Sequence, residues 1–282
     1  MLKKIFIIIV SLFLLVMGVL VHSRFVSTKG LITKEYSLQD NSLPTSFNTL
    51  KIVHFSDILY SANTNHKDIE KIEEEIKLIN PKLIVFTGDL VSNNYKLKAK
   101  DKEYLINILS NLDAAYGKYA ILGDSDYSDL ATVKDIYLNS GFQVLDNDYD
   151  IIYTKDKESI FLGGISSSIQ KDADIDAVMS YFDNNNDIDY KIILLHEPDY
   201  LDNIIPKYNI NLILAGHSLN GQINIPLIKN IFLQDQAKKY YKNYYKINNT
   251  NIYISSGIGV VKSNFRLNNK PSINFYRLKN EQ

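Results

Sequence analysis

Hydrophobic and polar positions divide the chain into two unequal parts. Residues 5–21 form a nearly unbroken apolar run, interrupted only by Ser11 and Gly18 and preceded by Met1-Leu2-Lys3-Lys4. With no polar face, the run does not read as an amphipathic helix laid on a protein core. At ~1.5 Å per residue it reaches about 26 Å, the short end of what a bilayer requires, and its flanks can extend it. A cleaved secretory signal is the rival reading. The run exceeds the usual apolar stretch of such a signal, and His22-Ser23-Arg24-Phe25 is a poor small-residue cleavage site. Residues 1–25 are therefore expected to be an uncleaved signal anchor crossing the cell membrane once. The amino terminus with Lys3 and Lys4 predicts a cytoplasmic N-terminus and an extracytoplasmic remainder, an asymmetry that Arg24 and Lys29 dilute.

Residues 26–48 read as a linker carrying one early strand at 31–36, closed by Pro44 and a polar cluster. From residue 49 to 282 short apolar runs alternate with helical spacing. A strand at 50–55 precedes a helix at 65–78, whose Ile69, Ile72, Ile76 and Ile79 recur on one face amid charges. The alternation repeats with a strand at 83–86, a helix near 104–112, a strand at 119–122 and a helix around 130–138. Later strand-like runs fall at 151–153, 160–162, 192–195, 212–214, 252–255 and 273–276. The pattern predicts a layered α/β domain built on two sheets. The Asn-rich acidic stretch 183–189 is expected to be a surface loop.

Charge and composition narrow the function mainly by exclusion. With 31 Lys+Arg against 32 Asp+Glu the formal net charge is -1, so no global field favours nucleic acid, which is not expected as a partner. The absence of cysteine excludes disulfides, thiolate ligands and a cysteine nucleophile, so a metal would have to use His, Asp, Glu or Asn. The basic and aromatic run from Lys238 to Lys246 offers contact with lipid headgroups or a glycan, but a solvated face is the more common fate of such runs.

Chemistry concentrates where the apolar runs end. Four of them finish in polar clusters, Phe55-Ser56-Asp57, Thr87-Gly88-Asp89, Gly123-Asp124-Ser125-Asp126 and His196-Glu197-Pro198, and Gly216-His217-Ser218 follows a fifth. Ligands of open α/β sheets bind beyond the carboxyl ends of the strands, so these clusters can converge on one site. Carboxylates with imidazoles suit Mn²⁺, Fe²⁺ or Zn²⁺, ions that polarise a phosphoryl oxygen and acidify water. Each of these residues has a plainer alternative. An aspartate after a strand often caps a helix or forms a turn, as Asp57, Asp89 and Asp124 all could, and a single histidine is often only a hydrogen-bonded structural residue. Ser125 has no histidine base beside it in sequence, and His54 is expected to flank the site without ligating.

In order and spacing, His54-Phe55-Ser56-Asp57, Val85-Phe86-Thr87-Gly88-Asp89, Ile121-Leu122-Gly123-Asp124-Ser125-Asp126, Leu195-His196-Glu197-Pro198 and Gly216-His217-Ser218-Leu219-Asn220-Gly221-Gln222 resemble the calcineurin-like metallophosphoesterases. The likeness is strongest to their membrane-associated bacterial branch and continues through Ser255-Ser256-Gly257-Ile258-Gly259 and Arg266. It implies a four-layer sandwich of two mixed sheets flanked by helices, and a centre of two ions bridged by an aspartate. The chain departs from that pattern in four places. Where the family carries histidines of one ion's site, this chain has Leu59 and Leu219; an asparagine position is Asp124, and the histidine proposed to protonate the leaving group is Ser125. The resemblance therefore leaves one ion a set of Asp89, Asp124, His196 and His217, with Asp57 assisting from the edge, and a second ion at most a weak site. It places the two leucines facing each other in the vacated site, and leaves Asp126 without the imidazole it orients in the family. Glu197 and Asn220 lie in motif loops where either is placed to assume a lost role.

Two functions follow as expectations. One is a membrane-anchored phosphoesterase using one divalent ion, acting on an envelope phosphomonoester, phosphodiester or lipid-linked phosphoester. The other is a catalytically inactive phosphoesterase-fold binding or scaffold protein at the membrane. Whether the chain is an enzyme is left open by the sequence.

Overall fold

The computed structural model describes residues 1–62, 64–225, 233–261 and 263–280. An isolated helix, α1 (Leu2–Phe25), leads the chain. Its apolar side chains from Ile5 to Val21 are mostly exposed, and none of its most apolar 18-residue stretch is buried against protein. It is long and apolar enough to cross a membrane, its 24 residues spanning about 36 Å.

The strands that follow in chain order are β1 (Ile32–Gln39), β2 (Lys51–Phe55), β3 (Leu83–Phe86), β4 (Lys118–Ala120) and β5 (Phe142–Val144). Next come β6 (Asp148–Tyr153), β7 (Ser159–Gly164), β8 (Lys191–Leu195), β9 (Leu212–Ala215), β10 (Tyr244–Ile247) and β11 (Thr250–Ile254), and last β12 (Ser272–Lys279). They form two six-stranded mixed sheets, ordered β1-β12-β2-β3-β4-β5 and β10-β11-β9-β8-β7-β6. In the first, β2 to β5 run parallel and β12 is antiparallel to β2; in the second, β7, β8, β9 and β11 run parallel between antiparallel edges.

Side-chain alternation explains the layering. On β2 and β3, Ile52, Leu83 and Val85 face the second sheet, while Val53, Phe55, Ile84 and Phe86 face the helices. On β8, Ile192 and Leu194 point inward, and Ile193 and Leu195 meet a third apolar layer with Val178 and Leu201. Strands covered on both faces must be apolar at consecutive positions, which is why these runs are short and continuous. The helices α2 (His66–Ile79), α3 (Ala99–Ser110) and α4 (Leu130–Asn139) cover the first sheet, and α5 (Ile175–Met179) and α6 (Leu201–Ile204) lie over the second. The result is the four-layer sandwich of the expected fold class.

Several elements differ from the sequence expectation. The stretch 26–48 is more than a linker, because β1 pairs with β12 along eight positions and Leu31, Leu38, Leu43 and Phe47 are buried. The early strand expected at 31–36 is present as β1, continued to Gln39, and its alternating polar positions are natural at a sheet edge. Strands β5 and β10 were not expected, since each has too few apolar residues to stand out. The run Lys238 to Lys246 is largely self-compensated: Lys238 pairs with Asp235 and Lys239 with Asp202, both at 2.6 Å, and Tyr240 is buried.

Gly164, at the end of β7, marks a close approach between the sheets. A Cβ there would overlap Leu145 and come within 2.7 Å of Ile121 Cγ2. Gly164→Ala is expected to lower stability by about 1–3 kcal/mol, the usual cost of overpacking, as read from chemical denaturation of the full chain in detergent.

Candidate metal centre

The carboxyl ends of β2, β3 and β4 in one sheet and of β8, β9 and β11 in the other meet at a common edge, and the backbone is stitched there before any functional side chain is considered. Asp57 N donates to Gly88 O at 2.9 Å, Ile258 N to Asp57 O at 3.1 Å, and Gly216 N to His196 O at 3.2 Å. Asp57, Asp89 and His217 all have left-handed backbones (φ 52°, 62° and 63°), which turns each side chain out of its strand direction and into the gap between sheets.

Asp89, Asp124, His196 and His217 converge there, each offering a ligand atom within 4.8 Å of the others. His196 Nε2 lies 3.5 Å from Asp89 Oδ1 and 3.4 Å from Asp124 Oδ1, and His217 Nδ1 lies 3.1 Å from Asp124 Oδ1. Both imidazoles are oriented from behind. His196 Nδ1 is 2.6 Å from Thr87 O, and His217 Nε2 is 2.8 Å from Asp235 O, so each ring donates outward and aims its lone pair inward. His196 Nε2, His217 Nδ1 and Asp124 Oδ1 are buried and have no hydrogen-bond partner. Buried polar atoms are rarely left so, and three pointing at one space fit a hard or borderline cation held by two carboxylates and two imidazoles.

The charges reinforce one another. Burial opposes ionisation of His196, but Asp89 and Asp124 outweigh it and lift its pKa well above the ordinary value. Burial likewise opposes a charge on His217, and Asp124 lifts it. The two imidazoles overcome the effect of burial on Asp124 and hold its carboxyl far below the usual range.

Asp126, expected to be idle without an adjacent imidazole, has a different task. Its Oδ2 accepts from Asp89 N and Gly123 N, both at 2.9 Å, and its Oδ1 from Leu90 N at 2.8 Å. It ties the loop after β3 to the loop after β4, and so sets Asp89 against Asp124. Burial, with the neighbouring Asp89 charge, pushes its pKa up to about 7. Ser125 is also committed, donating from N to Asp89 Oδ1 at 2.9 Å and from Oγ to Asp89 Oδ2 at 3.0 Å. Glu197 is fully buried, its carboxylate held by Ser167 and Ser168, and it does not reach into the gap. His54 sits behind the site, bonded to Thr87 Oγ1 at 2.8 Å and kept neutral by burial, which lowers its pKa to about 3.

Asp57 stands outside the group of four. Its Oδ2 accepts from Ser56 Oγ and from His217 N at 3.1 Å, while Oδ1 is buried and unpartnered, and burial raises its pKa to about 6. The charges of His196, Asp89 and His217 act on it from one side, and apolar groups lie on the other. Leu59 and Leu219 are buried and meet the same glycine-bearing segment: a Cβ on Gly257 would overlap Leu219 and lie 2.9 Å from Asp57 Cβ, and one on Gly259 would lie 2.7 Å from Leu59 Cβ. Beneath that segment Arg266, fully buried, donates to Gly257 O at 3.1 Å and Gly259 O at 2.5 Å. Burial lowers its pKa to about 10, against the opposing pull of Asp57 and Asp68. Leu59 and Leu219 are thus buried beside this segment, and the Arg266 guanidinium is near enough for the Asp57 charge to act on it.

The roles of the Thr87 and Asp235 carbonyls, of Ser125 and of the Asp126 clamp escaped sequence reading. The first two are backbone groups without a residue signature; the Gly-Asp-Ser-Asp spacing alone hinted at the others.

Two outcomes follow. Asp126→Ala leaves three buried N–H groups without an acceptor, so stability falls by about 3 kcal/mol or more and affinity for Mn²⁺ falls about 10–100-fold, checked by denaturation and by metal titration. Because His196 and His217 hold protons more tightly than free imidazole, and a metal ion must displace them, affinity rises with pH through neutrality. Mn²⁺ titrations between pH 5.5 and 8 that show flat or falling affinity would contradict this.

Known sequences agree with the arrangement. Residues 50–221 match the sequence model of the family described as calcineurin-like phosphoesterase. The chain is 29% identical over 260 residues to YkuE, an uncharacterized metallophosphoesterase of Bacillus subtilis, covering 92% of this chain and 89% of that one. It is 25% identical over 283 residues to YkoQ of the same organism, also an uncharacterized metallophosphoesterase, covering 97% and 100%. A transmembrane protein with metallophosphoesterase domain from Danio rerio is 24% identical over 234 residues, covering 77% of this chain and 50% of that one.

Proposed function

The chain belongs to the calcineurin-like phosphoesterase family, and we propose that it is a membrane-anchored, metal-dependent phosphoesterase working with one divalent ion. The observation that carries this reading is the convergence of Asp89, Asp124, His196 and His217 on one space, with three buried donor atoms left unpartnered. Mn²⁺, Fe²⁺ or Zn²⁺ bound there would polarise a phosphoryl oxygen and acidify a water. The chain's own residues do the rest. Thr87 and Asp235 fix the imidazole tautomers, Asp126 and Ser125 hold the carboxylates, and the dry floor of Leu59 and Leu219 raises the strength of every charge interaction in the gap.

The exposed apolar surface of α1 supports a single membrane span, and Lys3 and Lys4 at its start favour a cytoplasmic N-terminus with the domain outside. An anchor that ends beside the domain favours an envelope phosphoester, either a phosphomonoester or a phosphodiester of a membrane-linked molecule. Turnover is expected to be slow. Ser125 stands where the family has a histidine and is bonded to Asp89, and loss of a general acid typically costs ~10²–10⁴ in rate. The same observation favours a second reading, an inactive phosphate-binding scaffold.

Elemental analysis of the full chain in detergent, with hydrolysis of an aryl phosphodiester, tests the proposal. About one equivalent of a transition metal, lost in His217→Ala together with turnover, is the expected result. A parent that stays metal-free and inactive after reconstitution sinks the enzymatic reading in favour of the scaffold.

A further inference from the structure

Where α1 ends, a cleft of about 430 Å³ opens between its last turn, the start of β1 and the segments that follow β9 and precede β12. Lys34, Lys270, Asn220, Asn243, Asn269 and His22 face it, and no acidic residue is among the described residues that line it. Lys270 is exposed and forms no ion pair among the described residues. Lys34 gives one of its three N–H groups to Ser256 Oγ at 2.7 Å and is half-buried; burial and the Arg266 charge lower its pKa to about 8. Two cations and a set of amides with no carboxylate between them form a site for an anion.

Its depth identifies the source of that anion. The exposed apolar surface of α1 runs to Val21, and Phe25 and Val26 remain exposed beyond it. Arg24 lies 5.7 Å from the Phe25 ring centre and 5.8 Å from that of Phe265, and donates to Asn264 O at 3.1 Å. At the end of an apolar helix a long basic side chain reaches the polar edge of a bilayer. Ser23 O accepts from Arg266 N at 3.0 Å, so the helix end is docked on the domain rather than hung from it. The cleft therefore opens at the level of lipid headgroups. In the basic run near Lys238, the first two lysines are spent on Asp235 and Asp202.

We propose that this cleft binds the headgroup of an anionic phospholipid, with Lys34 and Lys270 on the phosphodiester and the asparagine amides on its polar substituent. The inference rests on the reading of α1 as a retained anchor and is independent of turnover at the metal centre. Binding there also touches that centre from behind: Asn269 donates to Leu219 O, Asn220 lies three residues beyond His217, and Ser256 precedes Gly257. A bound headgroup fixes the outer side of both loops and sets the site at a constant height over the bilayer.

The test uses the full chain in a neutral detergent, titrated calorimetrically with short-chain phosphatidylglycerol, short-chain phosphatidylcholine and inorganic phosphate. Saturable binding of phosphatidylglycerol is expected, weaker binding of the other two, and a loss of about fivefold for Lys270→Gln and for Lys34→Gln. Lys270 is exposed and unpaired, so its replacement leaves the fold intact; thermal melting of both variants verifies this. Unchanged affinity in Lys270→Gln overturns the proposal, as does equal binding of phosphatidylcholine or of inorganic phosphate, the latter marking a site for free anion. A separate carbonate wash of membranes holding the full chain distinguishes the premise: retention supports it, and release overturns the anchor reading while leaving the metal centre untouched.

Discussion

One buried carboxylate sets the geometry on which the centre depends. Asp126 accepts three backbone N–H groups, from Asp89, Leu90 and Gly123, and so joins the turns after two neighbouring strands. Ser125 adds a second link between the same turns, donating from N and Oγ to the two Asp89 carboxylate oxygens. A charged acceptor for amides that cannot reach water is worth more than an ordinary hydrogen bond. The fold supplies the strands and their parallel direction, and this clamp converts two parallel strand ends into a pair of ligands at a fixed separation.

The two halves of the centre are built on opposite physical plans. On the Asp124 side, donor atoms are left open toward one another and are held by carbonyls from behind. On the Asp57 side, Leu59 and Leu219 are buried, two glycines let the 255–259 segment lie against them, and a guanidinium holds that segment down. An ion bound on the first side would be insulated by the second, in a medium of low polarisability. Arg266 belongs to both the centre and the membrane end of the molecule, since its backbone N–H meets the last turn of α1 while its side chain reaches the glycine segment.

Much of this was legible before the coordinates. Apolar runs buried on both faces gave the central strands to within a residue or two, as at β3 and β8, because continuous hydrophobicity has few other uses at that length. Asp89, Asp124, His196 and His217 fall together as their places after those strands implied. Sequence failed where the signal is relational. Strand β1 lies where an early strand was expected, but its eight-position pairing with β12, which makes it part of the sheet rather than of a linker, has no mark in composition. Asp126 looked redundant because its partners are backbone amides from residues up to 37 positions away, which no motif records. Asp57 is buried at the strand end its motif implies, at the edge of the cluster, with Oδ2 on the His217 amide and Oδ1 unpartnered.

Leu59 and Leu219 both sit in the left-handed region, at φ of 48° and 49°. Branched apolar residues have no preference for that conformation, which costs on the order of 1 kcal/mol at each position, so the surrounding turns impose it. The bends are set by main-chain pairing around them, Leu59 N to Asp89 O at 3.0 Å and Gln222 N to Leu219 O at 2.9 Å, rather than by any preference of the side chains they carry. The two turns beside the centre are thus shaped from the backbone, and the residues mounted on them could change while the loops keep their course.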